Sequence, residues 1–377
     1  MIRVGIDLLW LRPGKVGGTE SYIRNLLDGF LKYSDDEFKF YLFLSKNNKY
    51  TFAKYFNNEK FYEVTCNINN EKVLNRIVWE NFNLDRYAKS KKIDVMFIPV
   101  YSKPFLTSKK IKYVTVIHDL QALHYPEYFS NKYVMWMKIS WLNALYTSDK
   151  IVTISNFVKN DLISKFNLKS KDQKKIEVIY IPISNLDEFE DFEVLSKRYS
   201  IESKKYFYTI SSLLPHKNTK VLLYIMKEIK NKYKYLPQKL LISGISTKGK
   251  KELNKLIKNL DLKENIIFTG YISNMERNSL YKNSFIFLFP SIFEGFGAPP
   301  VEAIELGVPT ITTKKASLYE VTQGKAYYVD DPYSVEQWID QILVVKNTNL
   351  KLKQHFSEYE LTTVTRRYLD LFRLITM

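Results

Sequence analysis

Two carboxylates eight positions apart, Glu294 and Glu302, flank a glycine-bearing loop in the stretch Phe289 to Thr313, FPSIFEGFGAPPVEAIELGVPTITT. Gly295 and Gly297 have no side chains, so a ligand can come close to their backbone. Pro299 and Pro300 stand where the first turn of a helix accepts proline, and Val301, Ala303, Ile304 and Leu306 carry that helix to Gly307 and Pro309. A helix N-terminus holds about half a positive charge and several unsatisfied N–H groups, which suits a diphosphate. The carboxylates would repel that anion, but each can take a sugar hydroxyl in a charge-assisted hydrogen bond of roughly 1.5–3 kcal/mol. An anion with hydroxyl-rich groups on both sides describes a nucleotide sugar. The plainer alternative is that Glu302 complements the helix dipole and Glu294 is a solvated loop charge.

The elements that must position these groups can be read directly. Phe285 to Phe289 is a short apolar run of the kind that forms a buried parallel strand, and Val308 to Thr313 is a second. Strand, glycine loop, helix and strand make a right-handed crossover in an α/β domain. The ordered set Glu294-Gly295-Phe296-Gly297, Pro299, Glu302-Ala303 and Gly307-Val308-Pro309 resembles the E-x7-E signature of the retaining glycosyltransferases called family 4. The resemblance implies an α/β fold of the GT-B type: two Rossmann-like domains with parallel sheets facing across a cleft. It also implies that Glu294 meets the donor sugar hydroxyls, Glu302 holds the ribose diol, and amides near Phe296 and Gly297 face the diphosphate.

Taken in order, the chain opens with the strand Ile2 to Leu9, a loop bearing Gly17 and Gly18, and a helix entered through Glu20. This is similar to the family's GGxE loop over the cleft between diphosphate and acceptor, although a first-turn carboxylate such as Glu20 is also plain helix chemistry. His118 ends the strand Val114–Ile117, where functional groups of parallel sheets gather, and resembles the family histidine that contacts the transferred sugar; Asp119 after it reads as a helix cap. The run HDLQ with a following P-E-x-F-S is similar to members that build surface polysaccharides. Lys217, at a strand-to-helix junction, is placed to neutralise phosphate and resembles the family lysine on the donor diphosphate. Many relatives carry an arginine five positions earlier; here that position is Ser212, and His216 or nearby backbone is the available compensation. Tyr271 follows a strand similar to the one leading to the base-binding loop.

Lys46 to Asn75 reads as irregular, Trp79 to Ala88 as a helix, and Trp136 to Tyr146 as a helix whose Met and Trp stripe belongs to the core. Residues 1–184 with about 357–377 are expected to form an acceptor-side domain, 185–200 a solvated acidic linker, and 201–356 the nucleotide-sugar domain, the final helix crossing back to the first.

At 377 residues, 45% of them hydrophobic, the chain can build two cores. No stretch reaches the ~18 apolar residues of a membrane span, the start reads as a strand and not a secretory signal, and the single Cys66 excludes an internal disulfide. A cytoplasmic location follows. The net charge of +17 is uneven: residues 1–185 hold 29 Lys/Arg against 18 Asp/Glu. Such a field attracts anions, and an anionic inner membrane leaflet is the preferred further partner, with no nucleic acid, because nucleic-acid motifs are missing. A lysine-rich composition with no function is the competing explanation.

The expected activity is therefore transfer of a hexose, with retention, from a nucleotide diphosphate sugar to a hydroxyl of a growing, lipid-linked surface glycan. With no Asp-x-Asp element, no obligatory metal or other cofactor is expected. Alternatives are a nucleotide-sugar 2-epimerase on the same scaffold, or a non-enzymatic basic protein binding membranes or nucleic acid.

Overall fold

Val95–Ile98 and Ile286–Phe289 are buried at every position, as strands must be when helices cover both faces of a sheet. The computed structural model describes residues 1–15, 17–183, 185–245, 250–348 and 354–377. Its strands are β1 (Ile2–Asp7), β2 (Phe38–Leu44), β3 (Phe61–Thr65), β4 (Val95–Ile98), β5 (Lys112–Ile117), β6 (Lys150–Thr153), β7 (Ile176–Val178), β8 (Tyr206–Ile210), β9 (Lys239–Ser243), β10 (Ile266–Gly270), β11 (Ile286–Phe289), β12 (Thr310–Thr313) and β13 (Tyr327–Val329). The helices used below are α1 (Gly18–Tyr33), α2 (Asn131–Thr147), α3 (Thr219–Lys232), α4 (Asn274–Asn283), α5 (Ala298–Glu305) and α6 (Leu361–Thr376).

The strands form two sheets, one in each of two units. The unit Met1–Pro182 with Ser357–Met377 holds the order β3-β2-β1-β4-β5-β6-β7. The unit Ile183–Phe356 holds β10-β9-β8-β11-β12-β13. Neighbouring strands are parallel in both sheets. In each, the winding reverses between two central strands, β1 and β4 or β8 and β11, and a crevice outside the carboxyl ends of such strands is where open α/β sheets bind ligands.

In the second unit Leu222, Ile225 and Met226 of α3 pack with Trp338 against Ile242, Leu288 and Ile311 on one face of the sheet. Tyr206, Tyr208, Phe287, Tyr281 and Leu318 fill the other. In the first unit, α1 buries Tyr22, Ile23, Leu26, Leu27 and Phe30. The last helix, α6, returns to this unit: Tyr368 and Phe372 meet Phe30 of α1 and Phe97 of β4, and Tyr368 Oη lies 2.6 Å from Tyr22 Oη.

Three expectations need correction. The stretch read as irregular contains β3, an edge strand paired with β2; its buried Phe61 and Val64 are three apart and so show no period-two alternation, and asparagines hem the run. Residues 185–200 are not a solvated linker. Asn278 Nδ2 donates to the carbonyls of Asn185 and Glu188, Ser279 Oγ donates to Glu190 O, and Phe192–Tyr199 is a helix of the second unit capped by Asp191. The α2 stripe is only half core: Met137 and Trp141 are buried, whereas Met135, Ile139 and Tyr146 are exposed.

Gly29 marks the closest approach of α1 and α6. A Cβ there would lie 2.1 Å from Thr365 Oγ1 and 3.0 Å from Leu361 Cδ1. Gly29→Val should cost about 1–3 kcal/mol through overpacking, read as a lowered urea midpoint, and Thr365→Ala in the same chain should recover part of the loss.

Candidate active site

The loops leaving β8 and β11 meet at the switch point of the second sheet. Ile292 N donates to His216 O at 2.8 Å, Ser291 Oγ donates to the same carbonyl at 3.2 Å, and Thr313 Oγ1 donates to Ser291 O at 2.7 Å. Ser317 Oγ lies 2.9 Å from Glu294 O and 2.8 Å from Phe296 O, so one hydroxyl pins both ends of the glycine turn. Gly297 caps α5 with φ of 88°, and a Cβ there would stand 2.6 Å from Leu318 Cδ2. Only glycine satisfies both the backbone angle and the space. Gly295 is buried beside it, and the Phe296 ring is buried too, so any ligand role of these residues falls to backbone.

At this turn Lys217 Nζ donates to Glu294 Oε1 at 2.6 Å, in a pair with side chains 22% and 13% exposed. The ammonium also lies 5.6 Å from the Phe289 ring centre. A cation suited to phosphate and an acceptor suited to hydroxyls thus share one part-buried spot at the start of α5. Further along the helix, Glu302 Oε2 accepts from Tyr281 Oη at 3.1 Å, and Oε1 lies 3.3 Å from Arg277 Nη1. Burial pushes the Tyr281 phenol well above its ordinary value, so it stays a donor.

Three other residues singled out in this unit are placed differently. Ser212 Oγ accepts from Leu214 N at 3.4 Å, turning its own loop, and it brings no charge. His216 does not replace the missing arginine: burial, helped by neighbouring Lys217, pushes it down to about 4, so it is neutral near pH 7. Tyr271 is 80% exposed at the end of β10, an edge strand separated from β8 by β9; the structure does not gather it with Lys217 and Glu294.

In the first unit, Gly17 caps α1 with φ of 60°, and among the described residues added Cβ atoms at Gly17 or Gly18 would meet nothing within 4 Å. Glu20 is committed to structure: Oε2 accepts from Gly14 N at 2.8 Å and Oε1 accepts from Arg24 Nε at 2.9 Å. His118 Nε2 lies 2.8 Å from Pro99 O. A carbonyl can only accept, so Nε2 carries the proton. Burial lowers the imidazole's pKa, and the ring packs edge-on to Tyr22 of α1 at 5.0 Å. Asp119 Oδ1 accepts from Gln121 N at 2.9 Å, a structural turn as expected, although the N-cap of the helix Gln121–His124 is Leu120 and not Asp119.

Comparison with known proteins bears on this geometry. The model of Glycosyl transferases group 1 matches residues 191–362, and that of Glycosyltransferase Family 4 matches residues 16–184. The chain belongs to the group 1, family 4 type of glycosyltransferases. Among curated members, it is 27% identical over 247 residues to the O-antigen chain mannosyltransferase RfbU of Salmonella typhimurium, covering 65% of this chain and 64% of that protein. It is 29% identical over 245 residues to O-antigen chain mannosyltransferase B of Escherichia coli, covering 63% and 62%. The matched region thus spans less than two thirds of either relative. Among solved structures, Anabaena HepE in complex with UDP and glucose aligns with TM-score 0.75 and 15% identity over 99% of this chain and 100% of that one. The fold is GT-B, with two parallel-sheet Rossmann-like domains.

At this site, sequence reasoning missed Arg277 and Tyr281. The available signal was their spacing of four, which puts both on one face of α4 just before β11. Among the described residues, no group of three or more His, Cys, Asp or Glu is arranged to hold a metal ion.

The neutral His216 gives a pH signature. An unfolded histidine takes a proton near pH 6.5, whereas the native one refuses it down to about 4. The unfolded chain therefore binds more protons in that window, and stability falls as pH drops through it. His216→Asn should flatten the decline in urea midpoint between about pH 6.5 and 4 relative to the parent protein.

Proposed function

We propose that this glycosyltransferase moves a hexose, with retention, from a nucleotide diphosphate sugar to a hydroxyl of a growing, lipid-linked surface glycan. The Lys217–Glu294 contact at the N-terminus of α5 carries the reading. It sets a phosphate-neutralising cation beside a hydroxyl acceptor at the switch point of a Rossmann-like sheet, where such sheets bind nucleotides. On this reading, Glu294 exchanges part of its bond to Lys217 for donor sugar hydroxyls, and Lys217 turns toward the diphosphate. Glu302 takes the ribose diol, its orientation fixed by Tyr281 and Arg277. Mannose is the first hexose to test, since curated relatives are mannosyltransferases by name.

The chemistry then rests on positioning and on charge. The bond from the anomeric carbon to the diphosphate breaks, the leaving oxygen gains negative charge, and Lys217 with the α5 amides stabilises it. The same oxygen draws the proton from the attacking acceptor hydroxyl on the same face of the sugar. His118, neutral and held through Nε2–H, serves the sugar as a fixed polar contact and not as a cation.

A thermal-shift panel of GDP-, UDP- and dTDP-sugars reads donor class, because a ligand bound only by the native state raises the melting temperature. One nucleotide class should stand out; no shift with any would overturn the proposal. Glu294→Ala should lower transfer by roughly a hundredfold or more with the fold retained, whereas Lys217→Ala should weaken nucleoside diphosphate affinity by about tenfold to a hundredfold in calorimetry. Transfer should persist in EDTA; activity lost there and restored by Mn²⁺ would show a metal requirement.

A further inference from the structure

One helical stretch of the first unit is built inside out. Val73–Trp79, Glu80–Leu84 and Asp85–Ser90 run on as helical segments, the middle one a π-helix. Arg76, Glu80, Leu84 and Ala88, four residues apart, are its buried face, with Arg76 Nη1 donating to Glu80 Oε1 at 2.8 Å and approaching Oε2 at 3.1 Å. Leu74, Val78 and Phe82, also four apart, are 76%, 57% and 69% exposed. Every fourth residue overshoots an α turn of 3.6 residues, and the wider π segment takes up that drift. In its first half the Arg76–Glu80 pair is inside and the apolar stripe outside, the reverse of an ordinary surface helix, whereas further on Leu84 and Ala88 are inside and Arg86 and Lys89 outside.

The stripe does not stand alone. Phe105 N donates to Asn81 Oδ1 at 2.7 Å and Ser108 N to Asp85 Oδ1 at 2.9 Å, laying the loop with exposed Phe105 and Leu106 against it. The Phe105 ring packs on Trp136 of α2 at 5.9 Å, and Asn143 Nδ2 of α2 donates to Lys103 O at 2.8 Å. The exposed half of the α2 stripe, Met135, Ile139 and Tyr146, belongs to the same helix. An exposed apolar stripe of this kind, joined by Phe82 to Leu106 in one groove, is unusual on a water-facing surface and marks an interaction site.

Its rim is cationic. Residues 85–112 contain eight Lys/Arg and two Asp; Lys103 is buried and Lys112 pairs with Asp149, which leaves six cations for the surface. Both acids are engaged, Asp85 with Lys89 and Asp94 with Arg3 N. Arg86 and Lys89 share a groove with Phe82 and Leu106, and Lys89, Lys92, Lys109 and Lys110 share the next. A second copy of this chain would bring the same cations against themselves across a two-fold axis. A surface offering phosphates outside and hydrocarbon beneath matches both parts of the face.

We propose that this face docks on an anionic lipid bilayer, with Leu74, Val78, Phe82 and Leu106 entering the headgroup–acyl boundary and the surrounding lysines meeting lipid phosphates. It deepens the lipid-linked acceptor reading above, since it places the first unit on the surface where such an acceptor resides, and it does not depend on which sugar is transferred.

The test is flotation of the full chain with vesicles of phosphatidylcholine alone and of phosphatidylcholine with about a third phosphatidylglycerol, a composition that sets up a negative surface potential. The protein should float only with the anionic vesicles, and brominated acyl chains should quench its tryptophan fluorescence. The triple substitution Leu74→Ser, Val78→Ser, Phe82→Ser should lower vesicle partition by roughly tenfold or more and remove the quenching, with melting temperature and nucleotide-induced shift unchanged. Lys109→Glu with Lys110→Glu should weaken partition and flatten its salt dependence. Equal flotation of the triple variant, flotation without quenching, or a parent dimer that the triple variant dissolves would each overturn the proposal. The nucleotide shift is read separately, so a failure of lipid docking is distinguishable from a failure of the donor reading.

Discussion

The ion pair between Lys217 and Glu294 ties together the two loops on which the site depends, one leaving β8 and the other β11. Ion pairs on open surfaces contribute little; this one is largely shielded and lies over an aromatic ring, where weaker screening makes its attraction greater. Around it the loop is fixed by bonds that need no ligand: the Ser317 hydroxyl on two carbonyls, the His216 carbonyl on Ile292 and Ser291, and a glycine at Gly297 that no other residue could replace without strain. The backbone of the loop is thus shaped before anything enters it, and the reorganisation a donor requires is confined to the Lys217 and Glu294 side chains.

The architecture was legible because parallel strands buried on both faces leave an unbroken apolar signature. Ile286–Phe289 and Val95–Ile98 stand out in the sequence for that reason. The edge strand β3 does not, since its two buried residues, Phe61 and Val64, lie three apart and make no regular pattern against the polar residues around them. The site was legible to the same degree. Glu294, Glu302, Gly297 and Lys217 carry their chemistry in residue type and spacing. Arg277 and Tyr281 contribute through a tertiary contact from α4, and nothing local to Glu302 announces them. His216 shows the limit from the other side: its type promises charge at acidic pH, and its burial withdraws it. Likewise the acidic run 185–191 has the composition of a linker, but composition carries no sign that Asn278 and Ser279 would claim its carbonyls.

The helix that carries Arg76 and Glu80 makes a related point about polarity. Its sequence, with charges and apolar residues both at intervals of four, admits two orientations, and the ordinary rule would turn Leu74, Val78 and Phe82 inward. The Arg76–Glu80 pair, one guanidinium nitrogen shared by both carboxylate oxygens, is compact enough to be buried as a unit, and burying it leaves the apolar stripe on the outside. A buried pair of this kind seldom adds stability over an apolar substitute, so its effect here lies in turning the apolar stripe outward.

The return of α6 onto α1 has a consequence for how the molecule is made. A ribosome delivers residues 1–182 first, yet Phe30 and Phe97 lack the aromatic partners Tyr368 and Phe372 until the last stretch of chain emerges. The earlier-synthesised domain is therefore the later one to be completed, while the domain inserted within it, contiguous from Ile183 to Phe356, can close as soon as it clears the exit tunnel. During that interval the groove awaiting α6 is open hydrocarbon, and the newborn chain carries its greatest hazard of sticking to others at the amino-terminal half.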